Sequence, residues 1–247
     1  MINNLHIIQV HVRDGVMNTG ASFWGDVFQK KKSRLSKRRI ILGNQLDFNG
    51  KLMFMADQKT NDGSYKIVDE ELMPNNPNGW ADIKEDILVI GQDMTGVAIG
   101  YPVADCPVLV VTDVLKGVTA FSHCSAAMVD MKLPKLTVDV LGYAYNCKLS
   151  SIYAYITASV GPNWTYDSWP KWALDSNVWQ DCIIQKEDLF YIDIKKVMIK
   201  QLNEISITGY LMNNDDIITD PRYFSNSVSS KWDEDKKDLR FAGVFYK

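Results

Sequence analysis

The sequence predicts an α+β fold of mixed β-sheets with packed helices. Two observations carry this reading: short β-branched apolar runs outnumber helical stretches, and neighbouring runs are joined by short turns. A third sets the domain count. No internal repeat, low-complexity tract or linker rich in Pro, Gly or Ser divides the chain, so residues 1–247 are read as one domain.

The elements follow in chain order. Ile7 to Val12 (IIQVHV) reads as a strand. Ala21 to Arg39 carries Phe23, Trp24, Val27, Phe28 and Leu35 at a broken helical spacing. Asp86 to Ile90, a turn at Gly91-Gln92-Asp93, and Gly96 to Tyr101 read as a hairpin. A second hairpin pairs Pro107 to Thr112 with Val118 to Ser122 across the connection Asp113 to Gly117. Pro134 to Tyr145 is predicted helical, with proline near the first turn and Leu136, Val140, Leu141 and Ala144 on one face. Ile152 to Val160 returns to strand. Asp193 is placed to cap a helix whose apolar stripe is Ile194, Val197, Met198, Leu202 and Ile205. Phe241 to Tyr246 closes the chain as a strand.

Composition excludes several function classes. Of 247 residues, 46% are hydrophobic and 23% charged, with a net charge of −3, which argues against disorder. The mildly acidic balance argues against a nucleic-acid partner, which normally needs a basic excess. No apolar run reaches the roughly 18 residues of a membrane span. Met1 to Arg13 lacks a basic segment followed by an apolar one, so a cytoplasmic location is expected. The four cysteines, Cys106, Cys124, Cys147 and Cys182, include no CxxC pair, so neither a zinc ribbon nor a thioredoxin-type dithiol is encoded locally. The run Lys30 to Arg39 holds seven cations in ten residues and is read as a solvated helix face. Trp164, Trp169, Trp172 and Trp179 are read as core rather than a ligand platform.

One constellation can carry chemistry. Reflecting the second hairpin about Leu115, the centre of its connection, brings Cys106 to within one residue of a position opposite His123, at the hairpin mouth. Opposed Cβ atoms in such a ladder lie about 4.5–5.5 Å apart. An imidazole beside a thiol can exchange its proton, and the pair can share a soft divalent metal. Asp105 should face the other side of the strand and orient backbone or loop groups rather than react.

These residues resemble the signature of the laccase-domain proteins, also called the YfiH-type or polyphenol-oxidase-like family. Ala104-Asp105-Cys106 and His123, separated by 17 positions, match the family's Ala-Asp-Cys stretch and its strand ending in His. Arg13-Asp14-Gly15 with Ser22, Arg39, Gln58, Val160-Gly161-Pro162 with Tyr166, Asp220-Pro221 with Phe224-Ser225, and Arg240 match further family segments in the right order. The resemblance implies a YfiH-like α+β fold, similar to that of the cytotoxic necrotizing factor deamidases, which use a Cys–His pair without metal. It implies phosphorolysis or deamination of a purine nucleoside, with nucleoside and phosphate as small-molecule partners. Cys106, His123 and Arg13 would be catalytic, and Arg39, Arg240 and Gln58 would hold substrate or phosphate. It also implies a zinc site built from His, Cys and His.

Departures from the family pattern bear on that site. Thr60 stands where the first metal-binding His is expected, leaving Cys106 and His123, with His11 as the candidate third ligand. After His123 the chain reads Cys124-Ser125-Ala126-Ala127-Met128 in place of Gly-Trp-Arg-Gly, and Ser227 falls where the family's paired arginines are expected. Cys124, next to His123 on a strand, should face away from it. Two alternatives therefore stand beside the nucleoside enzyme: a metal-free Cys–His hydrolase or deamidase, and a catalytically degenerate binding protein. Multicopper oxidation ranks last, because three histidines cannot build a multicopper cluster of the usual kind.

Overall fold

In a computed structural model, residues 6–9, 53–56, 62–72, 80–94, 98–174, 176–223, 225, 227–228 and 241–246 are described. The strands, in chain order, are β1 (His6–Gln9), β2 (Met53–Ala56), β3 (Tyr65–Val68), β4 (Trp80–Ile83), β5 (Ile87–Ile90), β6 (Ala98–Val103), β7 (Val108–Asp113), β8 (Val118–His123), β9 (Ile152–Ile156), β10 (Trp164–Tyr166), β11 (Ile183–Lys186), β12 (Leu189–Ile192), β13 (Tyr210–Met212) and β14 (Phe241–Tyr246). The helices among these residues are α1 (Ala126–Asp130), α2 (Leu133–Tyr145), α3 (Ser176–Trp179) and α4 (Ile194–Glu204). No helix among the described residues is long and apolar enough to cross a membrane.

The strands form three sheets, ordered β13-β9-β7-β8-β5-β3, β1-β14-β6-β2-β4 and β10-β12-β11. The first two mix parallel and antiparallel pairs, so the α+β class with mixed sheets holds. β7 and β8 lie at the centre of the six-stranded sheet, and every residue of both is buried. This is why their sequences are nearly continuous apolar runs rather than alternating ones. Their few polar side chains are paired internally: Thr112 Oγ1 lies 2.9 Å from Thr119 Oγ1, and Thr137 of α2 donates to Ser122 Oγ at 2.8 Å.

The connection after β7 is organised by its first residue. Asp113 Oδ1 accepts the N–H groups of Leu115 and Lys116 at 2.9 and 3.0 Å, and Gly117 supplies the positive φ of +64° that returns the chain to β8. Helix α2 packs against β8 and β7 and meets α4. Its buried residues are Leu133, Pro134, Thr137, Val138, Val140 and Leu141; the expected Leu136 and Ala144 are half-buried. The face is rotated because α2 is covered by the sheet on one side and by α4 on another, so residues flanking the predicted stripe are covered too. Asp193 caps α4 as expected, accepting the N–H of Lys196 at 3.0 Å, and Ile194, Val197, Met198 and Leu202 are buried.

Three expectations need correction. β5 and β6 do not form a hairpin. A turn follows β5, with Met94 N–H donating to Gly91 O, but β5 is paired on both edges, with β8 and β3, while β6 lies between β14 and β2 in another sheet. With β8 on one edge of β5 and β3 on the other, no edge is left for β6. The strand expected over 152–160 ends at Ile156; beyond it the chain keeps single main-chain hydrogen bonds, Thr157 N–H to Val108 O and Val160 N–H to Asp105 O, and an isolated bridge, Ser159 to Asp216. The tryptophans are core with one exception. Trp164 stacks on Trp172 at 5.4 Å, and Trp172 meets the fully buried Trp179 edge-on at 4.7 Å, whereas Trp169 is 40% exposed. The predicted segment Ala21 to Arg39, with its cationic run, lies outside the described residues.

Candidate functional site

The site is built where β6 gives way to β7. β6 ends at Val103, residues Ala104, Asp105 and Cys106 make a bend, and Pro107 leads into β7. On the facing strand β8 ends at His123, and one further ladder bond, Cys124 N–H to Pro107 O at 2.9 Å, holds the mouth closed. Ser125 then caps α1 by accepting the N–H of Met128. The register sets Val108 directly opposite His123. Cys106, two residues earlier, is thus a diagonal neighbour of His123 rather than its direct partner. The shift from the expected pairing arises because the ladder closes at Asp113 and Val118, one residue nearer the loop tip on the first strand than predicted. Cys106 is half-buried, and His123 is 8% exposed.

Asp105 does not act as a free carboxylate. Its Oδ1 accepts the Ser225 hydroxyl at 2.6 Å, and its Oδ2 accepts both the N–H and the hydroxyl of Ser227 at 2.9 Å. Its main-chain oxygen accepts the N–H of Val160 at 2.9 Å. The reading of Asp105 as an orienting residue agrees with this geometry.

The mouth is bordered by the chain after β9. Thr157 substitutes for a ladder partner of Val108, accepting its N–H through Oγ1 at 2.9 Å and donating its own N–H to Val108 O at 3.1 Å. Further on, Asp216 Oδ1 accepts the N–H of Gly161 at 3.1 Å, and Asp216 Oδ2 accepts Asn163 Nδ2 at 2.8 Å. A Cβ at position 161 would meet Asp216 Oδ2 at 2.9 Å, so only glycine fits there. Lys195 of α4, 5% exposed, donates to the carbonyl oxygens of Asn213 and Asp215 at 2.9 and 2.7 Å and so braces the segment that carries Asp216. Sequence reasoning missed Lys195 and Asp216. The signal for Lys195 was a cation beside the buried stripe of an amphipathic helix; Asp216 had none.

The other thiols are separated from this chemistry. Cys124 is fully buried, and burial pushes its thiol up to about 12, with hydrogen bonds from Ser122 and the main chain only partly opposing. Burial, then a hydrogen bond to Asp113, pushes the Cys147 thiol up to about 12, and burial raises Cys182. All four cysteines are free thiols.

Five of the predicted site residues, His11, Arg13, Arg39, Gln58 and Arg240, lie outside the described residues, as does Thr60. Among the described residues, no three His, Cys, Asp or Glu side chains come together in a group that could hold a metal ion. Cys106 and His123 amount to two donors, short of the three or four protein ligands of a zinc site. The described residues by themselves do not fit the zinc ion that the resemblance implies.

The family of multi-copper polyphenol oxidoreductase laccases matches this sequence over residues 17–231. The chain belongs to that family. Its fold is shared with crystal structures of laccase-domain proteins: YlmD from Geobacillus stearothermophilus (TM-score 0.73, 15% identity, 87% of this chain and 81% of that one), YfiH from Bacillus licheniformis (0.66, 13%, 87% and 82%), and NMB0706 from Neisseria meningitidis (0.71, 14%, 99% and 94%). At such identities the likeness is one of fold. No curated protein is a significant match to the sequence. Within the laccase-domain fold, His123 ends β8 and Cys106 lies in the bend that precedes β7.

Proposed function

We propose that this laccase-domain chain is an enzyme acting on a purine nucleoside, with Cys106 and His123 at its reacting end. The observation that carries the reading is the meeting of the family's two signature segments, Ala104-Asp105-Cys106 and His123, at one hairpin mouth. Phosphorolysis and deamination share one demand: a proton must reach the nitrogen-containing group as it departs. His123 is the side chain suited to hold and deliver that proton near neutral pH. Cys106 lines the same mouth as a polar contact to the base or to the attacking oxygen. Arg13, Arg39 and Arg240 would bind anionic oxygens of phosphate, and Gln58 the nucleoside.

The test is to incubate purified protein with adenosine or inosine, with and without phosphate, and to separate the products chromatographically. Inosine signals deamination; free adenine or hypoxanthine formed only with phosphate signals phosphorolysis. Elemental analysis of the same untagged preparation reports bound zinc. Absence of every product, or turnover unaffected by Cys106→Ala, overturns the reading.

Thr60 at the first metal-ligand position favours a second reading, a metal-free hydrolase or deamidase. Here the Cys106 sulfur attacks a carbonyl or amide carbon, His123 takes the thiol proton and passes it to the leaving amine, and water releases the acyl group. Cys106 would then be alkylated selectively, and more slowly once His123 is replaced. A protein with neither nucleoside turnover nor a reactive Cys106 is a binding relative of the family.

A further inference from the structure

Asp105 joins three stretches of chain that are remote in sequence. Through its main-chain oxygen it holds Val160, on the segment running to Gly161. Through its carboxylate it holds Ser225 and Ser227, which lie 120 and 122 residues away. Ser225 is 1% exposed, and its hydrogen bond to the half-buried Asp105 is part-buried. Bonds to an ionised acceptor are the stronger class, and here three neutral donors converge on one carboxylate. Ser227, which falls where the family carries arginine, contributes two of the three.

The next residue along is Cys106. It lies in the bend between β6 and β7, outside both strands. The ladder of the hairpin fixes Pro107 and Val108, and Asp105 is tied from the other side, so the backbone of Cys106 is held between two anchors. We infer that Asp105 is a positioning residue: its clamp to Ser225 and Ser227 sets the place and accessibility of the Cys106 thiol, and the C-terminal segment is therefore part of the site. This rests on Cys106 being the working thiol and is independent of the substrate.

The experiment measures carbamidomethylation of the full-length protein by iodoacetamide at fixed pH, with each cysteine followed by peptide mass spectrometry. Removing both hydroxyls in Ser225→Ala/Ser227→Ala leaves the Asp105 carboxylate only the Ser227 N–H of its three donors and so loosens the bend, and Cys106 is expected to react about tenfold faster. Ser227→Thr keeps the donor and is expected to stay within about twofold of the wild type. Buried Cys124 and Cys182 serve as internal reporters and should remain unmodified throughout. An unchanged Cys106 rate in the double variant overturns the inference. So does parallel labelling of Cys124 and Cys182, which would mean general unfolding, or a Ser227→Thr protein as reactive as the double variant. No nucleoside enters the measurement, so failure of the proposed reaction and failure of the clamp are read separately.

Discussion

Val108, not Cys106, stands directly opposite His123. Cys106 therefore lies two residues before the position that faces His123, in the bend at the hairpin mouth.

If the hairpin mouth is where chemistry occurs, Cys106→Ala and His123→Ala should each reduce turnover by about 10²–10⁴-fold. Because the two residues would work as one unit, the double variant should be little worse than the poorer single one. Steady-state kinetics of the three proteins on the active nucleoside decide this. Multiplicative losses would show that the two side chains act independently.

Asp113 organises the far end of the same hairpin. Burial works to raise its pKa, but hydrogen bonds from Lys116 N–H, the Ser151 hydroxyl, Cys147 and Leu115 N–H outweigh it and hold the carboxyl below its usual value. The unfolded chain then binds the proton more readily. Stability from this group is present above the unfolded carboxyl pKa of about 4 and is lost as pH falls through the lower folded value. Asp113→Asn should cost about 1–3 kcal/mol at neutral pH and make the acid limb shallower. Urea unfolding from pH 3 to 7 tests both effects.

Gly161 has no space for a side chain against Asp216. Gly161→Ala should destabilise the protein by about 1–3 kcal/mol. The contact is with a single carboxylate, so the loss in Gly161→Ala/Asp216→Ala should be smaller than the sum of the two single losses. Denaturant midpoints of the four proteins give the coupling directly.

Lys195 is a buried cation whose pKa is lowered, chiefly by burial, against the opposing pull of Asp216, Asp193 and Asp215. The unfolded state holds this proton more tightly, so between the folded value and about 10.4 its contribution to stability rises with pH. Lys195→Met removes that rise and leaves the carbonyls of Asn213 and Asp215 without their donor, at a cost of about 2 kcal/mol near neutrality. The difference between wild type and variant should widen with pH, and only in the alkaline range; a difference that varies below pH 6 would contradict this account.

Much of the fold was legible in local pattern. The two apolar runs around Asp113 and Gly117 pair as the expected hairpin, and Asp193 ahead of a 3.6-residue stripe caps the expected helix. The pairing of β5 was not legible, because a wholly apolar four-residue strand carries no mark of which neighbours cover its edges. The register of the hairpin that carries the candidate site was legible to within one residue. The error lay in the loop: four residues or five between strands is decided by hydrogen bonds to Asp113, and these have no sequence period.

The sequence alone determined the family, the class of the fold, and the two residues on which chemistry is proposed, because motif spacing and hydrophobic period act over a few residues or a single hairpin. Only the tertiary structure decided that Ser225 and Ser227 close on Asp105, that Lys195 braces the segment bearing Asp216, and that β5 and β6 part into separate sheets. Those outcomes depend on donors and acceptors, or strand edges, that meet only after distant stretches of chain have packed, and no local signal announces such a meeting.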